Sequence, residues 1–338
     1  MSDVRSTPTG GRLAGIDAAR GLAVLGMFAA HLVPDGETEN LADGRSSVLF
    51  ATLAGMSLGL LSGGSAPTPR DARPEVRRRI AIRALVLVLL GLVLWTLGSG
   101  IAIILDYYGV FFLVLLPVLF APRLVLTAVV LAALGVGTAV LASAPESPLA
   151  WNGDSVLLWL PSEWFVTGYY PGLLWLAYLA VGLALARTGL GRAPVQLGML
   201  IGGAVASSVG YGTAAAVGLD ASAHSNTALE ALGAGGLALA VVGGLSLAVR
   251  ARIVSLLLTP LRAIGAMPLT IYTAQILALA LTRSAAGGPL EDDAEWTLLA
   301  VLVIASLALA PLWRRFLGRG PLEALLARLT APSRRISA

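Results

Sequence analysis

The chain is expected to fold as an all-α, polytopic integral membrane helical bundle of about ten transmembrane helices, with both termini in the cytoplasm. Three observations lead there. Hydrophobic residues make up 57% of the 338 residues and charged residues only 12%, with a mean hydropathy of +0.84, whereas soluble domains are about a quarter charged. Ten apolar runs are each long enough to cross about 30 Å of hydrocarbon. The charges between those runs sort by sign, as connections on the two sides of a membrane do.

The runs lie near residues 14–33, 46–63, 80–98, 101–120, 123–143, 169–187, 194–218, 228–249, 260–282 and 296–313. Alternation from a cytoplasmic N-terminus puts Arg5, Arg12, the RDARPEVRRR segment (70–79), Arg123, Arg187, Arg192, Arg250, Arg252 and the WRRFLGRG tail inside. Asp35, Glu37, Glu39, Asp43, Glu146, Asp154, Glu163, Asp220, Glu291, Asp292, Asp293 and Glu295 fall outside, joined only by Arg45 and Arg283. This sorting favours an even number of spans. A single domain over 1–338 is expected, with a flexible cytoplasmic N-terminus (1–12) and a cytoplasmic tail (330–338).

The first run carries Asp17, Arg20 and His31. At about 100° per residue Arg20 and His31 lie about 20° apart around a helix, with Asp17 within about 60° of both, so the three share one stripe over about 16 Å of axis. Ionisable groups inside a membrane are costly and usually face a cavity or a partner. The internal Asp and Arg, the length and the lack of a small-residue cleavage site argue against a removable signal peptide. The second run, AGMSLGLLSGG (55–64), and later GMLIGGAVASSVG and LGAGGLALAVVGG, are spaced for close helix packing rather than phosphate binding. The third and fourth runs are separated only by the tight Gly98-Ser99-Gly100 link, and the fourth opens on Asp106, Tyr107 and Tyr108. Asp106 reads either as the carboxylate orienting a histidine or as a charge favoured by a helix N-terminus.

Between the fifth and sixth runs, the Trp-rich connection 144–168 reads as a surface lid or an interfacial aromatic belt, followed by Tyr169 and Tyr170. His224 lies in the LDASAHSNT connection before the eighth run. The ninth run holds Thr270, Tyr272 and Gln275, with Arg262 just inside; such groups act as interhelical glue or line a cavity.

Cysteine is absent, which removes a disulfide framework, a thiolate nucleophile and Cys-based metal sites. All 23 basic side chains are Arg, and with the Ala, Gly, Leu and Val bias this points to a high-GC bacterial genome. No dinucleotide-binding, Walker or HExxH signature occurs. A pI near 9.8 does not imply nucleic-acid binding here, since the arginines lie between hydrophobic runs. The two histidines, His31 and His224, fall on the same outer side and are the general-base candidates.

RLAGIDAARGLAVLGMFAAHLV (12–33), GRSSVLFATLAGMSLGLLSGG (44–64), YYPGLLWLAYLAVGLALART (169–188), SAHSNTALEALGAGGLALAV (222–241), IGAMPLTIYTAQ (264–275) and GRGPLEALLARLT (318–330) occur in that order. Together they resemble bacterial proteins with a heparan-alpha-glucosaminide N-acetyltransferase catalytic domain, a group overlapping the YeiB-like membrane proteins. The resemblance implies a multi-pass protein of the bacterial plasma membrane. It also implies transmembrane acyl transfer, from acetyl-CoA or another acyl-CoA on the cytoplasmic side to a hydroxyl or amine of a glycan or glycolipid outside, without a metal. Asp17, Arg20 and Arg262 are then expected to serve the phosphates of the acyl-CoA, with Asp17 orienting Arg20. His31 would deprotonate the acceptor, steadied by Asp106 or a tyrosine, with His224 as its alternative. Tyr108, Glu163, Tyr170, Tyr272 and Gln275 are the expected acceptor-binding residues. A polar passage should join Arg20 to a histidine. The expected partners are membrane lipids and the acceptor, and no nucleic acid; the small-residue spacing suits a homodimer or one bundle equally. A transporter or flippase of a lipid-linked or small polar substrate is the alternative, since many spans with buried polar groups also suit alternating access. A helical assembly partner of another enzyme is a third.

Overall fold

The structure, a computed structural model, describes residues 13–34, 40–144 and 156–331. The expected N-terminal arm, most of the tail and the first part of the Trp-rich connection lie outside these residues. Every described regular element is helical. The elements are α1 (Ala14–Leu32), α2 (Arg45–Leu61), α3 (Arg73–Trp95), α4 (Leu105–Leu115), α5 (Arg123–Leu141) and α6 (Val156–Ser162) with a π turn, Glu163–Thr167. They continue as α7 (Gly172–Ala186), α8 (Ala193–Val217), α9 (Ala228–Ala248), α10 (Arg252–Leu257), α11 (Thr259–Gly265), α12 (Pro268–Ala286), α13 (Asp292–Phe316) and α14 (Pro321–Leu329).

Each expected span therefore has a helix, but not every helix is a full crossing. Four, α5, α8, α9 and α13, are long and apolar enough alone, and six are if the bent pairs α6–α7 and α11–α12 each count once. The fourth run is the clearest departure: only 11 residues are helical in α4, about 16 Å at 1.5 Å per residue. The ninth is broken by 82° between α11 and α12. The cause is local. Pro268 disfavours a helical conformation at Met267, which stands at φ −133° and ψ 43°.

Helix α1 is central, packed on α2, α9, α11, α12 and α13. A methyl added to Gly265 of α11 would overlap the Asp17 carbonyl of α1, and one on Gly21 would overlap that of Leu261. The glycine-rich runs are used for packing as the sequence reading expects: Gly55 and Gly182 bring α2 against α7, and Gly203, Gly210, Gly236 and Gly243 bring α8 against α9. By contrast α5, α8 and α13 turn most of their side chains outward, with Leu131, Ile201 and Ile304 all exposed. That is the pattern of helices facing lipid rather than water, and the chain is a multi-pass membrane protein.

Candidate active site

The two ends of the bundle differ in chemistry. At one end the arginines are used as clamps. Arg187 donates to the carbonyls of Gly59, Gly64 and Leu119 and to Ser62 Oγ, tying three connections together. Arg250 holds Gln196 Oε1 and the Gly191 carbonyl, and Arg79 holds the carbonyl of Thr330 in the segment that ends α14. A small cavity of about 40 Å³ opens there, lined by Leu61, Val76, Arg79, Ile80, Arg83 and Thr330.

At the other end lies a polar cavity of about 320 Å³. His31 and Val33 reach it from the end of α1, Asp43 and Ser47 from the start of α2, and Gly100 to Ala102 from the link between α3 and α4. Tyr169 and Tyr170 enter from the α6–α7 link, His224 from the α8–α9 link, and Arg283 and Glu295 from either side of the α12–α13 link. The five connections that alternation assigns to the outer side thus meet at one place. The structure brings both histidines, which the sequence left as alternatives, into a single cavity.

Local structure fixes each ring. His31 Nδ1 is 3.0 Å from Nε2 of Gln275, a wholly buried residue of α12. His224 and Asn226 occupy the left-handed backbone region, with φ of 60° and 54°. Glu230, in the first turn of α9, holds that loop: Oε1 accepts from the His224 amide at 2.8 Å and Oε2 from the Asn226 amide at 2.6 Å. Thr227 caps the same helix by accepting from the Glu230 amide. The His224 ring packs on Tyr169, Tyr170 and Trp175, and its Nε2 stands 3.8 Å from Oδ1 of Asp43. Arg283 donates to the Ser99 carbonyl and, at 3.4 Å, to Glu295.

The other expected residues divide. Tyr170 lines the cavity. Tyr108 is one layer away and donates to the carbonyl of Ser47, which does line it. Tyr272 Oη accepts from the Ile104 amide, and Glu163 accepts from Tyr107. Asp106 is a correction: it accepts from Trp164 Nε1 at 2.9 Å rather than from an imidazole, and the groups beside the rings are Asp43 and Gln275. That carboxylate fixes the π turn, Glu163–Thr167, against α4.

Asp17 does hold Arg20, at 3.0 Å, but the guanidinium also donates to the Gly265 carbonyl and to Ser57 Oγ. It is therefore engaged in joining α1, α2 and α11. Arg262 turns back onto Ser255. The expected passage from Arg20 to His31 is not formed by the two cavities, which share no lining residue; between those levels Val24, Met27 and Phe28 of α1 are buried. Sequence reasoning did not select Asp43, Arg283 and Glu295 as site residues. The signal was present, because Arg283 is one of only two arginines on the acidic side of the charge sorting.

Comparison with known proteins yields two family models. One, described as heparan-alpha-glucosaminide N-acetyltransferase, catalytic, matches residues 12–204. The other, described as protein of unknown function (DUF418), matches residues 185–333. No curated protein matches the chain.

Proposed function

Because the chain belongs to the heparan-alpha-glucosaminide N-acetyltransferase catalytic family, whose model covers more than half of it, we propose that it moves an acyl group across the membrane. The donor is acyl-CoA, in the simplest case acetyl-CoA, and the acceptor is a hydroxyl or amine of an extracytoplasmic glycan or glycolipid. The observation that carries this reading is the cavity holding both imidazoles together with Asp43, Glu295, Arg283 and two tyrosines. Histidine is the side chain suited to removing a proton from such an acceptor near neutral pH. Direct transfer requires no protein nucleophile, consistent with a chain that has no cysteine.

The opposite end supplies the complementary chemistry. Exposed Arg78 and Arg79, with the neighbouring Arg77 and Arg83, offer the fixed, always charged donors that phosphates require. The 40 Å³ cavity itself admits water rather than a nucleotide, so the nucleotide end of CoA would rest on this basic rim. The thioester is what CoA supplies when bound. With the acidic cavity outside and the arginine clamps inside, ten crossings with cytoplasmic termini in a bacterial plasma membrane is the arrangement we adopt.

The test is to incubate the protein, purified in nanodiscs, with acetyl-CoA and a panel of amino sugars and glycolipids. Acceptor-dependent release of free CoA with an acetylated product is expected. Movement of an acceptor across liposomes without CoA consumption would instead establish a transporter.

A further inference from the structure

We propose that Gln275 sets His31 as a hydrogen-bond donor toward the cavity, and that His224, beside Asp43, is the imidazole that takes the acceptor's proton. This assignment rests on the acyl-transfer reading above and divides between two residues a role that one was expected to fill.

An amide nitrogen donates and does not accept. Gln275 Nε2 stands 3.0 Å from His31 Nδ1; with the amide in that orientation Nδ1 is the acceptor of the bond, and the proton of the neutral ring resides on Nε2. The partner is wholly buried in α12, so water does not compete for it. His31 makes no hydrogen bond to a carboxylate among the described residues; the charged group it shares the cavity wall with on α12 is Arg283. A ring in that state offers an N–H and has no free lone pair to remove a proton.

His224 has the opposite surroundings. Oδ1 of Asp43, on the turn leading into α2, is 3.8 Å from its Nε2, and a carboxylate at that distance favours the imidazolium that forms when the ring accepts a proton. Glu230 of α9 holds the backbone on the far side of the ring, and Tyr169, Tyr170 and Trp175 enclose its faces. Two like groups placed in contrasting environments are the usual basis of an acid and base assignment.

The roles balance as a reaction. His224 removes the proton from the acceptor O–H or N–H as that atom bonds to the thioester carbonyl carbon. His31 Nε2–H donates to the carbonyl oxygen, where charge builds. The carbon–sulfur bond breaks, and the proton on His224 passes to the departing thiolate. Acceptor and acyl thioester become acylated acceptor and free thiol.

The chain has two histidines, so 15N spectra of histidine-labelled protein in nanodiscs report each ring, with His224→Gln providing the assignment. The expected result is a proton on Nε2 of His31 that moves to Nδ1 in Gln275→Glu, where the new carboxylate accepts. A wild-type His31 protonated on Nδ1 overturns the proposal. In acetyl transfer, His31→Ala is expected to lose about 10²- to 10³-fold, the cost of one oxyanion donor, while His31→Asn, which keeps an N–H, recovers part of that loss. His224→Gln is expected to lose about 10²- to 10⁴-fold. Asp43→Asn should shift the acidic limb of the pH–rate profile, and His31→Asn should leave that limb in place. An active His224→Gln enzyme, or a His31→Asn enzyme as inactive as His31→Ala, refutes the division of roles. A wild-type protein that never consumes acetyl-CoA removes the acyl-transfer reading instead, while the spectra still decide the state of His31.

Discussion

Glu230→Gln isolates what holds His224 in the cavity, because the substitution changes one oxygen to nitrogen and little in volume. The carboxylate accepts from the amides of His224 at 2.8 Å and Asn226 at 2.6 Å, and from Ser225 Oγ at 3.4 Å. These bonds offset the left-handed backbone at His224 and Asn226, which costs roughly 1–2 kcal/mol per residue. After the substitution one oxygen remains, and the new NH₂ group faces a backbone N–H that it cannot satisfy. Losing one charge-assisted bond removes about 1.5–3 kcal/mol, and a stranded donor raises the total to about 2–4 kcal/mol. At 1.4 kcal/mol per decade, that is roughly a 30- to 700-fold shift toward an open loop.

Hydrogen exchange at the amides of residues 224 and 226 measures that shift directly, since local opening sets their exchange rate. Exchange at both amides should accelerate by about that factor, with the amides in the middle of α9 unchanged. Unaltered protection at both amides would refute the cradle, whatever happened to activity.

Further outcomes follow from the packing and charge. Gly265→Leu should prevent assembly of folded protein, because even a Cβ overlaps the Asp17 carbonyl; fluorescence-detected size exclusion reads this, and a stable monodisperse variant would contradict the α1–α11 contact. Asp17→Ala leaves the largely buried Arg20 guanidinium without that carboxylate, a loss of about 3 kcal/mol that should appear as a lower thermal midpoint, with Asp17→Asn intermediate. Single cysteines are clean reporters in a chain that has none: in intact cells Ser222→Cys and Gly288→Cys should react with a membrane-impermeant maleimide, and Ser65→Cys only after permeabilisation. Reaction of all three in intact cells would refute the proposed sidedness. Glu323→Gln weakens a carboxylate that accepts from the amides of Leu269 and Thr270 and from Thr270 Oγ1, and should raise exchange at the start of α12 without altering the two-histidine cavity.

Much of the fold was legible because membrane insertion writes itself into hydropathy and charge sign. Ten apolar runs met ten helical regions, and the glycine-rich stretches became contact seams. What failed was length and straightness. The run at 101–120 reads as one apolar segment, but hydropathy does not report where backbone hydrogen bonding stops, and the α-helix there is 11 residues long. The break ahead of Pro268 was readable in principle, since the residue before a proline resists the helical conformation.

The site was legible in its parts but not in its pairings, because pairing depends on which connections converge. Asp106 followed the rule that a carboxylate near a histidine orients it, and the rule failed: Trp164, 58 positions further along, takes its Oδ2. The stronger signal lay in the exceptions to charge sorting. An arginine on the acidic side gains nothing from the positive-inside preference, so something else must account for it there. Arg283 lines the cavity and joins Ser99 to Glu295. Arg45 meets Tyr211, both by hydrogen bond and over its ring face, which anchors the start of α2 beside the turn that carries Asp43. The two arginines that depart from the charge sorting thus lie in, or one contact from the turn into, the two-histidine cavity. A structure in which Arg45 and Arg283 pointed into bulk solvent would have removed that argument.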